Sequence, residues 1–377
     1  MKKIFLVLGI LSVFLLTGCN SLDEKEIRDN FIKNVDNMKG YYLEGELSLT
    51  NNDDTYNYNV EVSYKADDKY KVVLINKANN YEQIILRNDD GVYVINPALN
   101  KSFKFQSDWP YNNSQAYLLN SLRNDLESDE TFQFTQKDKD YIFTTKVNYP
   151  NNPNYVKQDI TIDDKYNLKK VQVMDANGIS FITFDVTSID SNATFDDKYF
   201  DIDENIEKLD ISENNQSNNN ETDNNDSTNN NTDNDSKEQE TNESTTNDEN
   251  TESSTEETME IDETLFPLYL PNNTTLSNKE VINKENGQRI IMTFQGEKPF
   301  ILVEETVTKE DEHTIVPTYG EPFLLIDTVG SLTDISYTWT SNGIEYYIVS
   351  DVMDQEELLE VARSINVVAA INERYNF

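Results

Sequence analysis

The chain has 377 residues, with 70 acidic side chains against 31 basic ones and a formal net charge of −39. A body this acidic repels phosphate backbones, which excludes nucleic-acid binding. One Cys excludes an intramolecular disulfide and any Cys-based zinc or iron–sulfur site within a single chain, and one His excludes a multi-His metal site. Eleven Gly leave little room for glycine-rich phosphate loops. The length fits about two domains, at ~100–200 residues each.

The N-terminus reads Met1-Lys2-Lys3, then an apolar run from Ile4 to Leu16, then Leu16-Thr17-Gly18-Cys19. A positive start, a short apolar stretch and a small-residue zone are the parts of a signal peptide. The run is shorter than the about 20 apolar residues of a spanning helix. Its last four residues resemble the bacterial lipobox, which ends in Cys. That resemblance implies a lipoprotein signal peptide over residues 1–18 and a diacylglyceryl thioether on Cys19 after cleavage. Two or three acyl chains, palmitate among them, would then hold the protein at the extracytoplasmic face of the cell membrane. At ~0.8 kcal/mol per buried methylene such anchoring is stable.

Residues 19–211 form the first expected domain. Asp23 or Ser21 can cap a helix whose Ile27, Phe31, Val35 and Met38 share one face. A meander follows. Tyr41, Leu43, Leu47 and Leu49 alternate with polar residues, and Tyr56, Tyr58, Val60, Val62 and Tyr64 repeat the pattern. Strands are predicted at 69–76, 81–87, 92–96 and 102–106, with Asn88-Asp89-Asp90-Gly91 as a hairpin turn. After Trp109-Pro110, Ser114 is expected to cap a helix reaching about Glu127. Five more strands are predicted at 131–136, 141–149, 155–162, 167–175 and 179–189. The expected fold class is mainly β (α+β): one large curved antiparallel half-barrel sheet, with the helices plugging its concave face.

Residues 212–260 differ from everything around them. These 49 positions hold 16 Ser/Thr, 15 Asp/Glu and 14 Asn, with no aromatic. Nothing there offsets the entropy of ordering, so this is expected to be a disordered acidic linker spanning roughly 35–42 Å. Residues 261–377 are the second expected domain, a small α+β module. Strands are predicted at 289–295, 299–308, 323–328, 335–340 and 344–350. Asp354 and Glu357 form a capping box for a closing helix with Leu358, Val361, Ala362 and Ile365 inward. The charge divides almost evenly: net −14 over 19–211, −14 over the linker and −13 over 261–377. The acidity therefore marks no single site.

The segments GYYLEGELSL and NNYEQIILRNDDGVYVINPALNKSFKFQSDWP, set behind a lipobox and a short helix, resemble the LolA/LppX superfamily of lipoprotein carriers and lipid-binding lipoproteins. More narrowly they are similar to Gram-positive sporulation and germination lipoproteins. Residues 81–110 carry most of the likeness, which covers about 21–205. FPLYLP, YTWTSNGIEYYIVSD and LLEVARSI resemble a small C-terminal domain of unknown function that ends such lipoproteins. The resemblance implies an open half-barrel whose concave face can hold acyl chains. Candidate lining residues are Tyr41, Leu43, Leu47, Tyr56, Tyr58, Tyr64, Phe103, Phe105, Phe132, Phe134 and Phe143; the same residues also suit an ordinary core.

No catalytic constellation emerges from the sequence. His313, in Glu310-Asp311-Glu312-His313, reads as a solvated loop residue rather than a pH sensor. Asp67-Asp68, Asp89-Asp90, Asp163-Asp164 and Asp196-Asp197 lack calcium-loop spacing and read as turn residues. Trp109 and Trp339 read as core anchors. The expectation is a membrane-anchored, non-enzymatic envelope lipoprotein with no cofactor. It would bind or scaffold a cell-envelope protein such as a cell-wall hydrolase, in sporulation or germination. The alternative is lipid or lipoprotein binding in the half-barrel cavity.

Overall fold

A computed structural model describes residues 23–51, 54–196, 198–209, 260–261, 264–325 and 328–375, the last ten of these by backbone alone. Residues 1–18, Cys19 and nearly all of the 212–260 stretch lie outside the described residues.

In chain order the elements are α1 (Glu24–Asp36), β1 (Gly40–Asn51), β2 (Asp54–Lys65), β3 (Lys69–Asn76), β4 (Glu82–Asn88), β5 (Gly91–Asn96), β6 (Lys101–Phe105), α2 (Leu119–Ser128), β7 (Gln133–Lys137), β8 (Asp140–Lys146), β9 (Lys157–Ile162), β10 (Leu168–Met174) and β11 (Ser180–Asp190). A helix over 202–209 is α3. Then come β12 (Thr274–Lys284), β13 (Gly287–Gly296), β14 (Phe300–Thr306), β15 (Thr314–Thr318), β16 (Glu321–Leu324), β17 (Val329–Leu332), β18 (Ser336–Ser341), β19 (Ile344–Val349) and α4 (Gln355–Tyr375). Twelve strands belong to one sheet and seven to another. The mainly β class expected from the sequence holds. The described residues separate into two compact units, those within 1–62 with 110–194, and those within 63–109 with 195–377.

In the first unit the strands run β2-β1-β11-β10-β9-β8-β7. Asp23 caps α1 by accepting from the backbone of Lys25 and Glu26, a contact worth about 1 kcal/mol. The stripe read from the sequence is buried at Ile27, Phe31 and Val35. α2 packs on α1 and β8, and Arg123 reaches Asp36 at 2.8 Å. Gly45 is required at a bulge in β1, because a Cβ there would meet the Phe184 ring at 2.5 Å. The second helix starts at Leu119, later than expected, and Ser114 does not cap it. Instead the Ser114 hydroxyl accepts from the Asn148 backbone at 2.8 Å, tying the preceding loop to the end of β8.

In the second unit β3–β6 form an antiparallel meander. One side of it carries Ile84, Leu86, Tyr93 and Ile95, covered by Phe200 with Phe195, Tyr199 and Ile202. The helix α3 that supplies part of this cover was not expected from the sequence. The C-terminal strands make the seven-stranded sheet β12-β13-β14-β19-β18-β17-β16, antiparallel throughout its paired strands. Its buried side stacks Tyr337 on Trp339 and Trp339 on Tyr346, with ring centroids 5.1 and 5.0 Å apart. α4 covers β18 and β19 with Leu358, Val361, Ala362 and Ile365 buried. Asp354 caps it, accepting from Glu357 N at 2.9 Å as the capping box predicts.

Candidate functional site

The second unit joins chain segments more than 200 residues apart. β15 pairs in parallel with β6, the outer strand of the meander, in the register Lys101–Thr314 through Phe105–Thr318. Asn100 sets up the entry. Its left-handed backbone turns the chain into β6, its carbonyl accepts from Thr314 N at 3.0 Å, and its amide donates to the Glu310 carbonyl at 3.0 Å. Lys101 pairs with the Glu310 carboxylate at 2.8 Å. His313 Nε2 lies 2.8 Å from the hydroxyl of the fully buried Ser102. The solvated-loop reading of His313 is therefore corrected: the residue is half-buried and fastens β15. Pro317 within β15 suits an edge strand, where a missing N–H costs no ladder bond.

A second tie lies deeper. Gln83 on β4 is buried, and its side-chain oxygen accepts from Val329 N at 2.6 Å and from the Thr328 hydroxyl at 3.2 Å. Its amide nitrogen donates to Val329 O at 3.2 Å. Ser107 also hydrogen-bonds Glu321. At the far end of the meander, Arg87 grips Asp68 and donates to the Trp109 carbonyl at 2.7 Å, which fixes the buried Trp109 against Tyr70.

Between these ties lies a cleft of about 290 Å³. Val94, Phe103, Phe105, Val316, Pro317 and Val329 form its apolar floor. Gln83 and Asn96 stand on the same meander face as Val94, and Ser331, Thr333, Ser336, Thr338 and Thr340 bring hydroxyls to the opposite side with Glu345. In the pairing of β17, β18 and β19, Ser331, Thr338 and Tyr347 stand in register, as do Thr340 and Glu345, so these residues share one face of the sheet. Asn96 is 1% exposed. Its amide nitrogen donates to the Tyr81 hydroxyl, while its Oδ1 is buried with no partner. Burial pushes the Glu345 carboxyl up, against Lys101, Arg289 and Lys284 nearby. No Lys, Arg or His is among the lining residues.

Of the lining residues named from the sequence, Phe103 and Phe105 border this cleft. Tyr64, in the same unit, is half-buried with its ring 5.0 Å from Tyr70. In the other unit Tyr41, Leu43, Leu47, Tyr58 and Phe143 are buried. There Tyr56, Phe132 and Phe134 are half-buried, and both Phe rings lean on Phe143. Cys19 lies outside the described residues. Asp67-Asp68, Asp89-Asp90 and Asp163-Asp164 sit in turns: Asp163 accepts from Lys165 N and Asn167 N, and Asp67 and Asp68 have left-handed backbones. Sequence reasoning missed Gln83, Asn96 and β15, because a single amide inside a strand gives no periodic signal. Among the described residues, no three His, Cys, Asp or Glu gather as metal ligands.

Residues 73–203 match the family model described as outer membrane lipoprotein carrier protein LolA. Sporulation protein YdcC of Bacillus subtilis (strain 168) is 31% identical over 373 residues, covering 97% of this chain and 98% of that relative. The chain belongs to the family of this sporulation protein. Among solved structures, it is similar to the Pseudomonas aeruginosa MucA/MucB complex at 12% identity and a TM-score of 0.29, over 90% of this chain and 98% of that one. It is also similar to the CwlD amidase of Clostridioides difficile in complex with the GerS lipoprotein, at 20% identity and a TM-score of 0.27, over 43% and 92%.

Proposed function

We propose that the protein is a lipid-anchored, non-enzymatic lipoprotein of the extracytoplasmic membrane face, acting in sporulation as a docking partner for a cell-envelope protein. The observation that carries this reading is the likeness to a sporulation protein along 97% of the chain. That span takes in both the LolA-matched meander and the C-terminal sheet, so the relative shares the whole arrangement and not one module. The Leu16-Thr17-Gly18-Cys19 sequence supports the anchor. A chain held through Cys19 does not leave the membrane to ferry cargo, which favours fixed binding over shuttling. The partner fitting this place is an envelope protein such as a cell-wall hydrolase.

The test is made in the sporulating source cell. Deletion of the gene lowers the yield of heat-resistant spores, and Cys19→Ala moves the protein from the membrane fraction to the soluble fraction. Cross-linking of the tagged full chain captures one envelope protein. Normal sporulation after deletion, or a soluble wild-type protein, would refute the reading.

The LolA match favours a second reading, an acyl lipid or lipoprotein held on the sheet. Native mass spectrometry of residues 20–377 decides it: co-purified lipid lost on Phe105→Asp supports lipid binding, and a lipid-free protein sinks it.

A further inference from the structure

We propose that the cleft between β5–β6 and β17–β18 binds a neutral, hydroxyl-rich ligand the size of one sugar ring, a pyranose. This goes beyond the docking role and does not depend on it.

Size sets the first limit. At ~30 Å³ for each water in the liquid, about 290 Å³ corresponds to roughly ten waters. One hexose or N-acetylhexosamine has that scale, at the small end of ordinary ligand pockets.

Polarity sets the second. The cleft is two-sided: Val94, Phe103 and Val316 on one side, and on the other the hydroxyls of Thr338 and Thr340, beside Ser331, which donates to the Tyr319 carbonyl, and Ser336, which is bonded to Thr333. An alkyl chain laid there would strip water from the hydroxyl side and return no hydrogen bonds, which is costly. A pyranose has a C–H face for the apolar floor and a hydroxyl rim that replaces the lost water.

Asn96 sets the third. Its Nδ2 is committed to Tyr81, and its buried Oδ1 has no partner. A buried carbonyl left alone costs about 1–3 kcal/mol, so native structures seldom keep one without a reason. A donor completes it, whether an ordered water or a ligand group. A hydroxyl or an acetamido N–H does so; an ester or a hydrocarbon does not.

Charge sets the fourth. Glu345 is the one ionisable acid on the wall, and no cationic side chain lines it. A phosphate or free carboxylate would meet the Glu345 carboxylate on the wall, while the nearby Lys101, Arg289 and Lys284 are not among the lining residues. A neutral ligand instead offers hydroxyl protons to Glu345, which accepts them in either protonation state.

The test uses the mature chain with Cys19→Ala, titrated by calorimetry with glucose, N-acetylglucosamine and sodium laurate. Saturable one-to-one binding of a sugar, weakened at least tenfold by Asn96→Leu, is expected; tenfold corresponds to about 1.4 kcal/mol. Thr338→Trp, which fills the cleft from the sheet face, should abolish binding and leave the unfolding midpoint near wild type. It keeps the test sound where Asn96→Leu fails to fold. Three results would each overturn the proposal: no heat from either sugar at millimolar concentration, sugar binding unchanged in both variants, or laurate binding that Thr338→Trp removes.

Discussion

Gln83 meets Val329 with both ends of its carboxamide, accepting from its N–H at 2.6 Å and donating to its carbonyl at 3.2 Å. A side chain thus satisfies the two backbone groups that a neighbouring strand would have satisfied. The two residues lie 246 positions apart and both are buried. The contact turns the C-terminal sheet and the meander of β3–β6 into parts of one packed unit. The cleft exists because of it, since Gln83 and Val329 both line its floor.

Gln83→Leu keeps the volume and removes the amide. Two buried backbone groups at Val329 lose their partner, at about 1–3 kcal/mol each. The variant should unfold at lower urea, with a total loss of about 2 kcal/mol or more. An unchanged midpoint would show that water replaces Gln83 at no cost.

Ser102 and His313 fasten the parallel strand from one end. Ser102→Ala removes the hydroxyl that His313 meets, at about 1 kcal/mol. The loss should be local: amides of Thr314–Thr318 exchange faster, while those of β13 and β14 keep their protection. Uniform acceleration across the second unit would instead mean that β15 opens only with global unfolding.

Glu304 gives the second unit a pH dependence. It is fully buried on β14, one oxygen accepting from Leu265 N at 3.0 Å, and burial pushes its carboxyl up to about 8 against that bond and Lys279. Between the unfolded value of 4.5 and about 8 the folded chain holds a proton that the unfolded chain has released. Stability from this group is therefore complete below pH 4.5 and declines as pH rises through about 8. The slope is at most about 1.4 kcal/mol per pH unit. Glu304→Gln should remove that decline and stabilise the protein at pH 8. A stability profile identical to wild type would place the carboxyl in contact with solvent.

Asp129, at the end of α2, has the opposite sign. Its burial would raise the carboxyl, but bonds from Thr131, Lys146 N and Thr145 together lower it to about 2. Its contribution is present above pH 3.8 and is lost as pH falls through about 2. Asp129→Ala should cost about 1–3 kcal/mol at neutral pH, because Lys146 N and Thr131 N lose their acceptor. The gap between variant and wild type should narrow in acid. A gap that persists at pH 2 would assign the cost to packing.

The alternation of Tyr, Leu and Val against polar residues made the first eleven strands legible, and the Asn and Asp turns marked their ends. The caps at Asp23 and Asp354 were legible for the same local reason. β12 was not, since all but its first residue is exposed and its side chains show no buried face. β15 was hidden by Pro317 and by its acidic approach, because among the described residues it pairs with the distant β6 alone. The cleft was half legible. Phe103 and Phe105 followed from strand periodicity, whereas Asn96, Gln83 and the hydroxyl side come from a long-range pairing that no local pattern encodes.

Amide hydrogen exchange of the mature chain across Lys101–Phe105 and Thr314–Thr318 tests most directly whether the C-terminal sheet and the meander are one body. Matched protection of the two segments, lowered in both by Gln83→Leu, is the predicted result. Exchange of Thr314–Thr318 at the rate of an open loop, with Lys101–Phe105 still protected, would contradict it.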